Sequence, residues 1–148
     1  MPIKNEQGFT LLEAMIAVLV LAIGLLGMAH LHLLSMKVNQ SAQYRSQATF
    51  LATDMLDKMR ANQQASRNGS YALTLNSDPI SSPSTIAETD IASWLGRLDN
   101  ALPQGDAVIT CPTFVANTEF VCNITVSWTE IQSDDTLGTT SFVFAGAI

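Results

Sequence analysis

The sequence predicts an α+β protein in which one long N-terminal helix packs, through its second half, on a small C-terminal antiparallel sheet. Three observations carry this prediction. Every residue from Ala14 to Ala29 is apolar or Gly. No Pro interrupts the chain between Phe9 and Ala61, so a single helix from about Phe9 to Asn62 is the simplest reading. The last third alternates instead: in "FVCNITVSW", Phe120, Cys122, Ile124, Val126 and Trp128 share one face of a strand.

Charge narrows the function classes. The 148-residue chain carries a net charge of −6. From Ala61 onward the basic residues are Arg67 and Arg97, against nine acidic ones, a net of −7. A phosphate-binding face needs clustered Lys and Arg, so no nucleic-acid partner is expected.

The N-terminal segment poses the first chemical question. Phe9 to Ala29 is 21 residues, about the ~20 needed to span a bilayer as a helix. A buried helix of a soluble protein and a cleavable secretory signal are the alternatives. The run is long for a secretory h-region, and His30, Leu31 and His32 follow where a small-x-small site would be needed. Glu13 lies inside the run, where an unpaired acid costs a few kcal/mol or more. Either it sits among the headgroups or it meets a positive group on a neighbouring chain. An α-amino group would serve if the chain were cut close by.

"GFTLLEAMIAVLVLAIGLLG" resembles the class III signal peptide of type IV pilins and pseudopilins. The resemblance implies a leader at residues 1–8 and a cut between Gly8 and Phe9 by a prepilin peptidase, which also N-methylates Phe9. Glu13 becomes the fifth mature residue. It would pair with the amine of an adjacent subunit and set filament register. Desolvation offsets much of the Coulomb gain of such a pair, so its value is partner choice and register rather than stability. The leader holds Lys4 against Glu6, so orientation rests on the motif and not on charge.

Beyond residues 9–29, the transmembrane and assembly helix, the helix is expected to continue over 30–62. Leu31, Leu34, Val38, Ala42, Ala48, Leu51, Ala52, Met55, Leu56 and Met59 recur every three or four positions and mark one packing face. Gly24 and Gly27 are three apart, which is not the GxxxG spacing. His30 and His32, two apart, do not share a helical face as a metal pair would, and read as interface residues. Asp54 and Lys58 have the spacing of an i,i+4 ion pair. "AIGLLGMAHLHLL" followed by "QATFLATDMLDKMRANQQA" resembles the pilus modification protein PilV branch of minor pilins, over about Gly8 to Ala65.

Residues 63–148 read as a globular domain, which the resemblance implies is periplasmic. Residues 63–90 form an irregular connection with at most a short strand in "SYALTL". Ile91, Trp94, Leu95, Leu98 and Leu102 predict an amphipathic helix over about 90–102, ended before Pro103, with Trp94 as a packing anchor. The sheet is expected over about 106–145, from "DAVITC", "FVCNITVSW" and "TSFVF". If this part is exported, Cys111 and Cys122 are expected to form a disulfide that pins strand ends. Ten intervening residues exclude a CxxC redox site.

No P-loop, dinucleotide fingerprint, nucleophile elbow, H-E-x-x-H or calcium loop is present. Glu130 with Asp134 and Asp135 reads as a solvated acidic loop rather than a cation site. No catalysis, cofactor or metal is expected. The resemblance implies a non-catalytic minor pilin in pilus assembly, adhesion and twitching motility. A minor I-like pseudopilin of type II secretion or a DNA-uptake pseudopilin shares the same plan, and an anchored periplasmic binding module would need neither Glu13 nor the cut. The implied partners are the prepilin peptidase/N-methyltransferase, other minor pilins, the major pilin, the inner-membrane assembly platform and lipid. The implied location is the inner membrane, with a periplasmic C-terminal domain, and then the pilus.

Overall fold

The structure, a computed structural model, describes residues 9–77, 80–132 and 136–148. The leader with Gly8, and the pair Asp134 and Asp135, lie outside the described residues. The chain divides into two compact units, one ending at Asn39 and the other Gln40–Ile148.

Helix α1 runs Leu11–Ala61, the long uninterrupted helix that the absence of Pro predicts. Lys58 and Arg60 in its last turn complement the negative end of the helix dipole. In the first unit the apolar side chains are open to solvent. In the second, Ala48, Leu51, Ala52, Met55, Leu56 and Met59 are buried, a packing face with the predicted spacing. The expected face was longer. Leu31, Leu34, Val38 and Ala42 are exposed, because periodicity records an apolar stripe and not what covers it.

Two short-range signals were missed in residues 63–90. Helix α2, Gln63–Arg67, continues after α1, and Ser66 Oγ closes the junction by donating to the Met59 carbonyl at 2.9 Å. Helix α3 runs Ile86–Ala101 and starts four residues before the expected Asp90. Its start is a reciprocal cap. The Glu88 N–H donates to Thr85 Oγ1 at 3.2 Å, and the Thr85 N–H donates to Glu88 Oε2 at 3.0 Å. The Ser84 N–H also reaches Glu88 Oε2 at 2.6 Å. The Ser84 backbone bond foremost, with the Ser84 hydroxyl and Thr85, holds the Glu88 carboxyl below its ordinary range. "SYALTL" supplies one isolated bridge, Leu73 to Ile109.

The sheet has three antiparallel strands in the order β1 (Asp106–Thr110), β2 (Val121–Ile131) and β3 (Leu137–Ala147). β3 is longer than "TSFVF" implies, because its Gly, Ala and Thr ends show no apolar alternation yet pair with the whole of β2. The inward residues of β2 (Cys122, Ile124, Val126 and Trp128) are fully buried, as the alternation predicts.

One core joins these elements within the second unit. Trp94 of α3 is buried and donates its indole N–H to the Leu51 carbonyl of α1 at 2.9 Å, so it anchors α3 without a stranded polar atom. Trp128 stacks on Phe142 with centroids 5.8 Å apart. Gly105 is needed where the chain turns from α3 into β1, since a Cβ there would lie 2.8 Å from the Leu98 carbonyl oxygen. Asp54 and Lys58 do not pair with each other. Asp54 binds Arg97, and Lys58 lies 3.3 Å from Asp90. Both partners come from α3, whose docking offers the charges a closer geometry than their own helix does.

Candidate functional site

The residues singled out at the N-terminus stand on the first turn of α1. Phe9 precedes the helix and is 77% exposed. Thr10 begins the helical bonding: its carbonyl accepts the N–H groups of Glu13 and Ala14 at 3.1 and 3.2 Å, and its Oγ1 lies 3.3 Å from the Glu13 nitrogen. Thr10 is thus an N-cap, which the sequence reading overlooked although T-x-x-E is a capping pattern. Glu13 is the acid of the first turn, where the positive end of the helix dipole favours a carboxylate. The structure therefore places an exposed Phe9, a capping hydroxyl and an exposed acid within about one helical turn.

Behind this turn, from Ala14 to Ala29, the helix offers only apolar side chains and Gly. α1 is long and apolar enough to cross a membrane, and none of its most apolar stretch is buried. Leu11, Leu12, Met15, Val18 and Leu19 are each at least 60% exposed. Exposed surface of this extent marks contact with lipid or with other apolar helices. Gly24 and Gly27 have open space where a Cβ would stand.

The second feature lies at the far end of the sheet. Cys111 and Cys122 are joined by a disulfide between the end of β1 and the start of β2. The bridge closes the loop that contains Phe114 and Asn117. Phe114 packs edge-on against Phe120 at 5.8 Å, and the Arg67 guanidinium sits 4.6 Å over the Phe114 ring. Sequence spacing could not reveal that cation–π contact, because it joins α2 to a loop more than forty residues away.

Nothing in the described residues assembles into a reaction centre. His30 and His32 are exposed on α1. Among the described residues no group of three or more His, Cys, Asp or Glu is placed to hold a metal ion. Asp106, in the concave surface beside α3, already accepts the Asn76 N–H at 2.8 Å and the Ala107 N–H at 2.7 Å.

The fold is pilin-like, one long N-terminal apolar helix with a small α+β domain, and is consistent with a single-pass membrane protein whose domain is extracytoplasmic. Together with the motif that follows, it supports a generic pilin- or pseudopilin-like structural subunit. The prokaryotic N-terminal methylation motif, typical of type IV pilin-like proteins, matches residues 3–29. That motif implies processing by a peptidase and methyltransferase of the kind that acts on pilin-like proteins. No curated protein and no solved structure matches the chain.

Proposed function

We propose that this chain is a minor type IV pilin: a non-catalytic subunit that joins a small complex priming or capping a pilus and so supports adhesion and twitching motility. The observation that carries the reading is the first turn of α1, with Glu13 exposed beside an exposed Phe9 at the head of an uncovered apolar helix. Residues 1–8 serve as the leader. Cleavage between Gly8 and Phe9 creates an amine that is methylated, and Glu13 pairs with the amine of a neighbouring subunit. Residues 9–29 hold the subunit in the inner membrane and then pack in the filament, while residues 63–148 carry subunit-specific contacts in the periplasm. The likeness of "AIGLLGMAHLHLL" and "QATFLATDMLDKMRANQQA" to the PilV branch supports a minor role, and a helix without Pro in Ala14 to Ala29 departs from many major pilins.

The test is Glu13→Ala in the full chain, read as incorporation into surface filaments. The expected result is normal membrane insertion and cleavage with loss of incorporation, and undiminished incorporation contradicts the register role. A strain lacking the gene is expected to lose pili and keep protein secretion. Loss of secretion with intact pili would instead assign the chain to a type II secretion pseudopilus.

A further inference from the structure

The two edges of the sheet are finished differently. β1 is short, and its outer side is covered by Leu73, which exchanges two backbone hydrogen bonds with Ile109 at 3.0 and 3.1 Å. β3 is an edge of 11 residues, "LGTTSFVFAGA", with no charged residue and no Pro. Natural edges are commonly protected by Lys, Pro, a bulge or a covering segment. β3 has none of these along its middle.

The direction of its backbone groups follows from two bonds at its ends. The Ile148 N–H donates to the Phe120 carbonyl, and the Thr136 carbonyl accepts the Gln132 N–H, so the even-numbered residues address β2. The odd-numbered ones face away. Arg60 Nε confirms the direction by donating to the Ala147 carbonyl at 2.9 Å. Between the ends, Thr139, Ser141, Val143 and Ala145 present their N–H and C=O groups outward, and no described residue bonds to them. The core is thinly covered on this side, where the Arg45 guanidinium of α1 lies 5.2 Å over the Phe142 ring. Phe142 and Phe144 point inward but are only half-buried, whereas their β2 neighbours Ile124 and Val126 are fully buried.

We propose that β3 receives an extended strand from a different polypeptide, which completes the sheet by backbone hydrogen bonding and covers Phe142 and Phe144. The row of outward donors and acceptors requires a strand as occupant, because only an extended backbone matches it over several residues. The thinly covered layer asks for apolar side chains at alternate positions, and the uncharged edge for an uncharged stretch. A second copy fits poorly. Head-to-tail extension is blocked where Leu73 covers β1, and edge-to-edge pairing of two β3 strands would bring together two units, Gln40–Ile148, that each carry a net −6. The proposal needs only the edge of the sheet and stands apart from the pilin reading.

The test uses the full chain in its own cells and compares Val143→Pro with Val143→Thr. Proline removes one outward N–H that the sheet itself does not use, and threonine keeps it. A photocrosslinking residue at Ser141 reports contact, and exchange of the outward amides of Thr139, Val143 and Ala145 compares the detergent-purified chain with the assembly extracted from the envelope. The expected results are fast exchange in the purified chain, protection in the assembly, and a cross-link to a different polypeptide that Val143→Thr keeps and Val143→Pro loses. Equal exchange in both samples, a cross-link that survives Val143→Pro, or a cross-linked species made of two copies of this chain each overturns the proposal. If Val143→Pro does not fold, the exchange comparison on the unaltered chain decides. A persisting cross-link, together with pili that remain intact in a strain lacking the gene, would remove the pilin reading and leave this inference standing.

Discussion

Tyr71 shows how one side chain can tie three helices' surroundings to a measurable property. It is wholly buried, its hydroxyl donates to Asp90 Oδ2 at 2.7 Å, and it accepts from Asn62 Nδ2 at 3.3 Å. Burial, then the bond to Asp90, pushes its pKa from 10.0 up to about 12. The folded chain therefore holds this proton more tightly than the unfolded chain does. The stability it contributes is complete below pH 10 and is lost between pH 10 and about 12. Over that window the loss is on the order of 2–3 kcal/mol. Tyr71→Phe is expected to lower stability at pH 7 by about 1–2 kcal/mol and to flatten this alkaline decline, as read by thermal unfolding of the full chain in detergent at a series of pH values. Glu13 differs from Tyr71 in what the sequence revealed. An acid in an apolar run is visible at once, whereas Tyr71 sits in a Ser- and Asn-rich stretch, and nothing local announces that its ring is buried.

Among the elements, α1 and β2 were legible because each is long and strongly periodic, one near 3.6 residues and the other at 2. α3 was legible in its body and blurred at its start. Its apolar spacing begins at Ile91, while its first turn is set by Thr85 and Glu88, polar residues that look like connection unless read as a cap. Thr85→Ala is expected to cost about 1 kcal/mol in chemical unfolding. The Glu88 carboxyl, held low by the same bonds, contributes stability that is present above the ordinary Glu pKa and is lost as pH falls. The cost of Glu88→Gln should therefore shrink in acid, and a pH-independent cost would show that the cap does not act through the carboxylate. The Asp54 and Lys58 pairing was misread for the opposite reason. Their local spacing was favourable, but α3 brings Arg97 and Asp90 to them from outside the helix.

For the whole molecule, apolar surface is distributed in an uncommon way. The second unit buries two tryptophans, a tyrosine and two methionines in one core, while the N-terminal half of α1 exposes nearly all its large apolar side chains. Uncovered apolar surface of that extent is what a helix in contact with lipid or with other apolar helices presents. The disulfide belongs to the domain's own stability. Its cysteines are eleven positions apart, so reduction, or Cys111→Ser with Cys122→Ser, is expected to cost about 2–3 kcal/mol and lower the melting temperature. An unchanged melting temperature under reductant would show that the loop is fixed by Phe114, Phe120 and Arg67 without the bridge. The edge of β3 could not be foreseen, because strand order depends on partners distant in sequence.

The proposed role requires Phe9 to become a chain terminus one turn from Glu13. Intact mass and N-terminal sequencing of the chain recovered from the cell envelope test this most directly. The predicted product lacks residues 1–8 and begins at an N-methylated Phe9. A chain that retains Met1, or that begins beyond the apolar run as a secretory protein would, contradicts it.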